Sequence, residues 1–338
     1  MRIYSKQDLN DYHQSLTYDD ISLIPTEISR IKSRTEASTS CRFMGIEMGV
    51  PIVSSPMDTV TGIEMVEALN QFGCLGILNR FDSSLESILK GDGKTKKIKA
   101  VSVALNISID EVTKLAERGY IICIDTANAN NKEVLLKTEE IKKKFDVKII
   151  IGNIAQGGSL EQLENAGADA VRVGIGSGSV CSTSIQTGIG IGQVSSLLDV
   201  LFEKEKHKLN ISIIADGGIK SAGDIAKAIA LGADAAMLGR MLSGTKETPG
   251  EVIKYSGQLW KKYRGSASFG VKMRNEYIEG EETMVAYKGT VKNVIDSISD
   301  GLRSSMSYMN CFTIDELKKT ESFAVLSNSS YIERLPRM

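Results

Sequence analysis

Histidine is almost missing from this chain: among 338 residues only His13 and His207 occur, and neither lies near a motif. A cysteine–histidine or Ser-His-Asp system needs an imidazole beside its nucleophile, so both are disfavoured. Net charge is missing too, because 41 Lys+Arg face 42 Asp+Glu for a formal −1. Nothing electrostatic therefore draws the chain to nucleic acid or to an anionic membrane. The basic cluster Lys94, Lys96, Lys97 and Lys99 reads as a solvated loop flanking a strand. No apolar run approaches the roughly 18 residues of a membrane span, and the start, MRIYSKQDLN, has no signal-peptide pattern. Cysteine is sparse, scattered and odd in number: Cys41, Cys74, Cys123, Cys181 and Cys311, with no CxxC spacing. That argues against a disulfide framework or a CxxC zinc site and points to a reducing cytoplasm.

What is present is ordinary for a globular protein, 42% hydrophobic and 25% charged, at a length that suits one α/β barrel or two smaller domains. Short apolar runs alternate with helix-like segments at Val50–Ser54, Cys74–Leu78, Ala100–Leu105, Tyr120–Asp125, Lys148–Gly152, Ala170–Gly174, Ile211–Ala215 and Ala235–Gly239. Each is apolar on both faces, the mark of a strand buried in a parallel sheet. Between them lie helix signals: the capping box Ser108–Glu111, a second box at Ser159 and Gln162, and a helix opened by Asn131 with Glu133/Lys137 and Glu139/Lys143 pairs. GADAV from Gly167 and GADAA from Gly232 echo one helix-to-strand junction. Eight such units predict a closed (β/α)8 TIM barrel, with a doubly wound open sheet as the alternative.

A barrel puts its functional groups after the strands. Strand one is followed by SSPMDT, strand four by Asp125-Thr126-Ala127-Asn128 and strand five by Asn153. Strand six leads into a loop dense in glycine that carries Cys181 among Ser179, Ser182, Thr183 and Ser184. Such glycines let a ligand approach the backbone closely; the plainer alternative is a flexible Gly/Ser loop with an incidental thiol. Asp216-Gly217-Gly218 after strand seven and Gly239-Arg240 after strand eight match the barrel phosphate site. A carboxylate repels phosphate but suits ribose hydroxyls, so Asp216 reads as a sugar contact, or else as a loop cap. Beyond the barrel come Tyr263–Phe269, a polar stretch over 270–284 that reads as a flap or a connector, a helix from about Val291 to Arg303, and a capping box at Thr313 and Glu316.

Together LTYDDISLIP, SSPMDTVT, IDTAN, GN, VGIGSGSVCST, IADGGIKSAGDIAKA, MLGRMLSGTKETPGE, YRGSAS and EG…YKG resemble the motifs of the IMP dehydrogenase and GMP reductase family, collinear over nearly the whole chain. The resemblance implies one catalytic barrel over 1–338, with its core at about 46–260, a flap at about 266–284 and no regulatory domain between Arg80 and Val101. It implies Cys181 as nucleophile, with Thr183 and Glu279 as proton donors. Ser179, Asp216, Gly217, Gly218, Gly239, Arg240 and Tyr263 would hold ribose and phosphate, and Ser266, Ser268 and Gly280 would face the base. Asp125, Thr126, Ala127 and Asn153 would meet the cofactor. Backbone carbonyls of Gly176, Gly178 and Cys181 would hold a monovalent cation, K+. It further implies a homotetramer acting on GMP or IMP with a nicotinamide dinucleotide.

Within the family, IMP dehydrogenase hydrolyses its covalent intermediate with an Arg-Tyr pair on a long flap. Here only Arg274-Asn275-Glu276-Tyr277-Ile278 separates Met273 from Glu279, and Arg274 and Tyr277 are not adjacent. NRF after strand two and SSMSY near the end lean the same way, toward a short-flap GMP reductase using NADPH. SSPMDTVT and VAYKG lean toward IMP dehydrogenase, which is the alternative. A non-catalytic nucleotide-binding member is the second alternative. Three departures from the family pattern stand out: Ser177 in place of a proline, Ser184 in place of a basic residue, and Arg240 where glycine or serine is usual.

Overall fold

The computed structural model describes residues 3–82, 85, 86, 88, 99–268 and 280–334. Eight parallel strands form its centre: β1 (Ile52–Ser54), β2 (Leu75–Leu78), β3 (Ala100–Val103), β4 (Ile121–Asp125), β5 (Ile149–Ile154), β6 (Ala170–Val173), β7 (Ser212–Asp216) and β8 (Ala235–Leu238). Every expected strand is there. The sheet closes, because β8 pairs back onto β1 through Ala236–Ile52, Met237–Val53 and Leu238–Ser54, which excludes the open doubly wound alternative. β1, β2, β3, β6 and β8 are buried at every position, which is why they read as unbroken apolar runs. β2 pairs directly with β3, Ile77 opposite Ala100 and Leu78 opposite Val101.

Helices α1 (Ile63–Gln71), α2 (Ile109–Ala116), α3 (Lys132–Lys144), α4 (Leu160–Asn165), α5 (Thr183–Thr187), α6 (Gln193–Lys206), α7 (Ala222–Leu231) and α8 (Val291–Tyr308) surround or follow the strands. α8 packs on α7 and α1 and so completes the outer ring. It runs past its expected end at Arg303 because Ile295, Ile298, Leu302 and Met306 carry one buried stripe through the serine-rich last turn. The GADA echo has a structural reason. Asp169 and Asp234 each donate N–H to a strand carbonyl, Ile149 and Ile213, and each carboxylate accepts from that same residue's N–H, at 2.8 and 2.7 Å.

Local expectations divide. Ser108 and Glu111 form the reciprocal box, and Glu139 pairs with Lys143. Ser159 does not cap: it ends a 3-10 turn, Gly157–Ser159, and its hydroxyl bonds Asn130 instead. Lys137 pairs with Glu140 at 2.8 Å rather than with Glu133. Thr313 accepts from Glu316 N–H, but the Glu316 carboxylate reaches Phe312 N–H, one residue early.

A second, antiparallel sheet of β9 (Ile253–Tyr255), β10 (Gln258–Arg264) and β11 (Glu282–Ala286) follows the barrel. Of the stretch expected as a flap, 266–284, residues 282–284 belong to β11, and residues 269–279 lie outside the described part. The LTYDD segment straps the barrel mouth. Its Leu16 carbonyl accepts from Val194 and Ser195 N–H at the start of α6, and Tyr18 packs beside Gly218. Among the described residues no helix is long and apolar enough to cross a membrane.

Candidate active site

The carboxyl ends of the strands surround a cavity of about 410 Å³. Its cysteine loop leaves β6 through Gly174, at φ +139°, where a Cβ would lie 2.0 Å from the Asp216 carbonyl oxygen. Only glycine fits so close an approach between the β6 and β7 loops. Cys181 is half-buried at the cavity wall, with Sγ 3.2 Å from Thr183 Oγ1 and its N–H donating to the Gly178 carbonyl at 3.0 Å.

The chain after the barrel returns to this loop twice. Gly280 bridges both Cys181 and Ser268, Glu281 N–H donates to Val180 O at 3.0 Å, and Gly265 N–H donates to Glu281 O at 3.0 Å. Ser268 and Gly280, described residues on either side of 269–279 in sequence, are therefore held together, with Gly280 against Cys181. Glu279 itself lies outside the described residues.

On one side, the buried Tyr263 hydroxyl is 3.1 Å from Ser179 Oγ, near Gly239. Burial raises the Tyr263 phenol above its ordinary value, against the opposing pull of Ser179 and Arg240, so it stays a donor. Gly217, Gly218, Gly239 and Arg240 line this end of the cavity. On the other side stand Asp125, Thr126, Ala127 and Asn153, with Thr126 Oγ1 donating to Gly152 O at 2.8 Å.

Between the two ends lies a group that sequence reasoning missed. Arg172 rises from the middle of β6, 6% exposed, and joins Asp125 (Nη1, 2.7 Å) to Asp216 (Nη2, 2.9 Å; Nε, 3.1 Å). Burial works against its charge, but the Asp216 and Asp125 carboxylates outweigh it and hold the guanidinium protonated. Arg80, also missed, donates to Asp125 Oδ2 at 3.0 Å and to the Asp125 carbonyl at 2.6 Å. Asn153 Nδ2 adds a bond to Asp216 Oδ2 at 2.9 Å. Asp216 Oδ2 is thereby saturated, while Oδ1 has no protein partner among the described residues. The available signal was Arg172 itself, one charge inside Val-Arg-Val of a buried strand.

Nearly every described candidate lines the cavity: Cys181, Thr183, Ser179, Asp216, Gly217, Gly218, Gly239, Arg240, Tyr263, Ser266, Asp125, Thr126, Ala127, Asn153, Gly176 and Gly178. Ser268 and Gly280 do not; they sit behind its wall, bridged to each other, with Ser268 1% exposed. The two histidines lie elsewhere, His13 stacked on Tyr12 and His207 paired with Glu203 and Glu161.

The cavity thus has a half-buried thiol between glycine loops and a carboxylate–arginine network, and comparison with known proteins adds a family. The IMP dehydrogenase / GMP reductase domain matches residues 15–337. This chain belongs to that family. It is 33% identical to a GMP reductase of Lactobacillus delbrueckii, covering 95% of this chain and 98% of that protein. A GMP reductase of Bacillus licheniformis is 34% identical, over 93% and 97%. An inosine-5'-monophosphate dehydrogenase of Borreliella burgdorferi is 32% identical, over 96% of each. Family members are oxidoreductases of purine metabolism that act on GMP or IMP with a nicotinamide dinucleotide, and both activities occur at similar identity.

Proposed function

We propose that this chain is a GMP reductase, converting GMP to IMP and ammonia at the expense of NADPH. The observation that carries this reading is the attachment of Ser268 and Gly280 beside Cys181, which leaves only residues 269–279 between them. That segment carries Glu279, next in sequence to Gly280, but no adjacent Arg-Tyr pair to activate water. Cys181 attacks C2 of the guanine, and the C2–amino bond breaks as Glu279 and Thr183 pass a proton to the departing amine. The nucleotide is then held to Cys181 by a carbon–sulfur bond, and no water enters. Asp125, Thr126, Ala127 and Asn153 would hold a reduced nicotinamide, whose chemistry would be hydride donation to C2, and Cys181 would leave as its thiolate as the carbon–sulfur bond breaks to give IMP.

The residues fit both ligands. Asp216 Oδ1 is available to the ribose hydroxyls, and the Tyr263–Ser179 pair, Gly217, Gly218, Gly239 and Arg240 form a donor-rich end for phosphate. Asp125, Thr126, Ala127 and Asn153 would hold the cofactor end. An oxygen-only set of carbonyls at Gly176, Gly178 and Cys181 suits a hard monovalent cation, which would share the Gly178 oxygen with Cys181 N–H. A homotetramer in the cytoplasm is in keeping with this reading.

IMP dehydrogenase activity is the second reading, favoured by the equal similarity to such enzymes. Purified protein given GMP and NADPH will consume NADPH and release ammonia, and Cys181→Ser will abolish both. Formation of NADH from IMP and NAD, without any reaction of GMP, would reverse the assignment.

A further inference from the structure

The loop after β8 forms one tight turn. Leu242 and Ser243 N–H both donate to the Gly239 carbonyl, at 3.1 and 2.9 Å. The N–H groups of Arg240 and Met241 have no backbone partner among the described residues. The carbonyls of those same residues both accept from one ammonium, Lys288 Nζ, at 2.8 and 3.3 Å, and the Arg240 carbonyl also accepts from Ser243 Oγ at 2.7 Å. Lys288 comes from the link between β11 and α8 and does not line the cavity. Backbone bonds fix it there: Lys288 N–H donates to Gly244 O at 2.8 Å, and Lys246 N–H to Gly289 O at 2.7 Å. At Gly244 the two strips approach so closely that a Cβ would lie 2.5 Å from the Ala286 carbonyl oxygen.

In a trans peptide the C=O and the following N–H point in opposite directions. A carbonyl of Arg240 held on Lys288 therefore turns Met241 N–H away from the lysine. The Gly239 carbonyl, occupied by Leu242 and Ser243, turns Arg240 N–H away from those two residues. Neither donor has a backbone partner among the described residues, and the turn they belong to borders the cavity through Gly239 and Arg240. The charges agree with this. Lys288 lies close enough to Arg240 to feel its charge, and neither side chain has a carboxylate partner among the described residues. Two such cations around one turn favour an anion between its N–H groups.

We propose that Lys288 is a positioning residue for phosphate recognition, holding the Gly239–Ser243 turn so that its N–H groups and the Arg240 guanidinium meet the phosphate of a nucleoside monophosphate. The proposal rests on the nucleotide reading of the cavity given above. Its test is calorimetric binding of IMP and of inosine, which lacks the phosphate, to wild type, K288M and K288R. K288M will weaken IMP binding by about threefold to tenfold and leave inosine binding unchanged, and K288R will recover most of the loss. K288Q serves in place of K288M should that variant fail to fold. Equal weakening of IMP and inosine, or no weakening of either, overturns the positioning role. A wild type that binds neither ligand overturns the nucleotide reading and this proposal with it.

Discussion

Cys181 differs from the other cysteines in what surrounds it. Cys74 and Cys123 are buried, which pushes their thiols up to about 12 and about 11. Arg172 pulls the Cys123 thiol the other way but does not overcome burial. Cys181 instead stands at the cavity wall beside the Thr183 hydroxyl. The buried thiols make the fold sensitive to alkali. In the unfolded chain they lose their protons near the ordinary thiol value of about 8.5, well before the native state does. Folding therefore retains protons that the unfolded chain gives up, so their contribution is intact below that value and is lost as pH rises toward 11 and 12. Unfolding free energies from denaturant titrations between pH 8 and pH 11 should fall by roughly 1 kcal/mol per pH unit for each buried thiol, Cys41 and Cys311 included. Cys74→Ala should flatten that slope, and an unchanged slope would remove Cys74 as a cause. None of this burial was visible from cysteine spacing, which shows only that no disulfide or CxxC pattern exists. Arg172 was equally hidden in role: its position in a buried strand marks a charge that needs partners, but not that Asp125 and Asp216 supply them from β4 and β7.

At the scale of elements, the strands were legible and the helix starts only partly so. Burial on both faces writes an apolar run into the sequence, and each of the eight runs is a strand. A capping box is weaker information, because other partners compete for the same hydroxyl. Ser108 finds Glu111 N–H at 3.2 Å and caps α2, whereas Ser159 turns to Asn130 across the β4 and β5 loops. Ser108→Ala should cost about 1 kcal/mol in chemical unfolding and Ser159→Ala only a few tenths. Equal losses would mean that the Asn130 contact is as stabilising as the cap. Charge pairs were ambiguous for a similar reason. Lys137 has Glu133 and Glu140 both within helical reach, and the carboxylate it meets is set by side-chain packing rather than by spacing.

The whole molecule adds what no single β/α unit contains, a link between the start of the barrel and the chain beyond it. Asp58 follows β1, and its Oδ2 accepts from both Nε (2.7 Å) and Nη2 of Arg264, at the end of β10. Thr59 Oγ1 accepts from Arg264 N–H at 3.1 Å, and Glu282 of β11 holds the same guanidinium from the other side. Met57, Tyr263, Gly265, Ser266 and Ala267 all line the cavity, so this ion pair joins two of its walls. The sequence shows SSPMDT and YRGSAS as separate motifs more than 200 residues apart, and local patterning carries no information about such a pairing. The pair is partly buried, and Asp58 Oδ1 has no partner among the described residues. Asp58→Asn thus removes a charge that Arg264 needs inside the wall, which should cost roughly 1–3 kcal/mol of stability. Its functional effect follows from which wall it frees. Gly265–Ala267 flank the expected position of the base, whereas the phosphate loops hang on β7 and β8. Binding of IMP should therefore weaken more in Asp58→Asn than binding of ribose 5-phosphate, which has no base but still meets Tyr263 beside Arg264. Parallel loss of both ligands in a calorimetric titration would instead assign the ion pair to the barrel mouth as a whole.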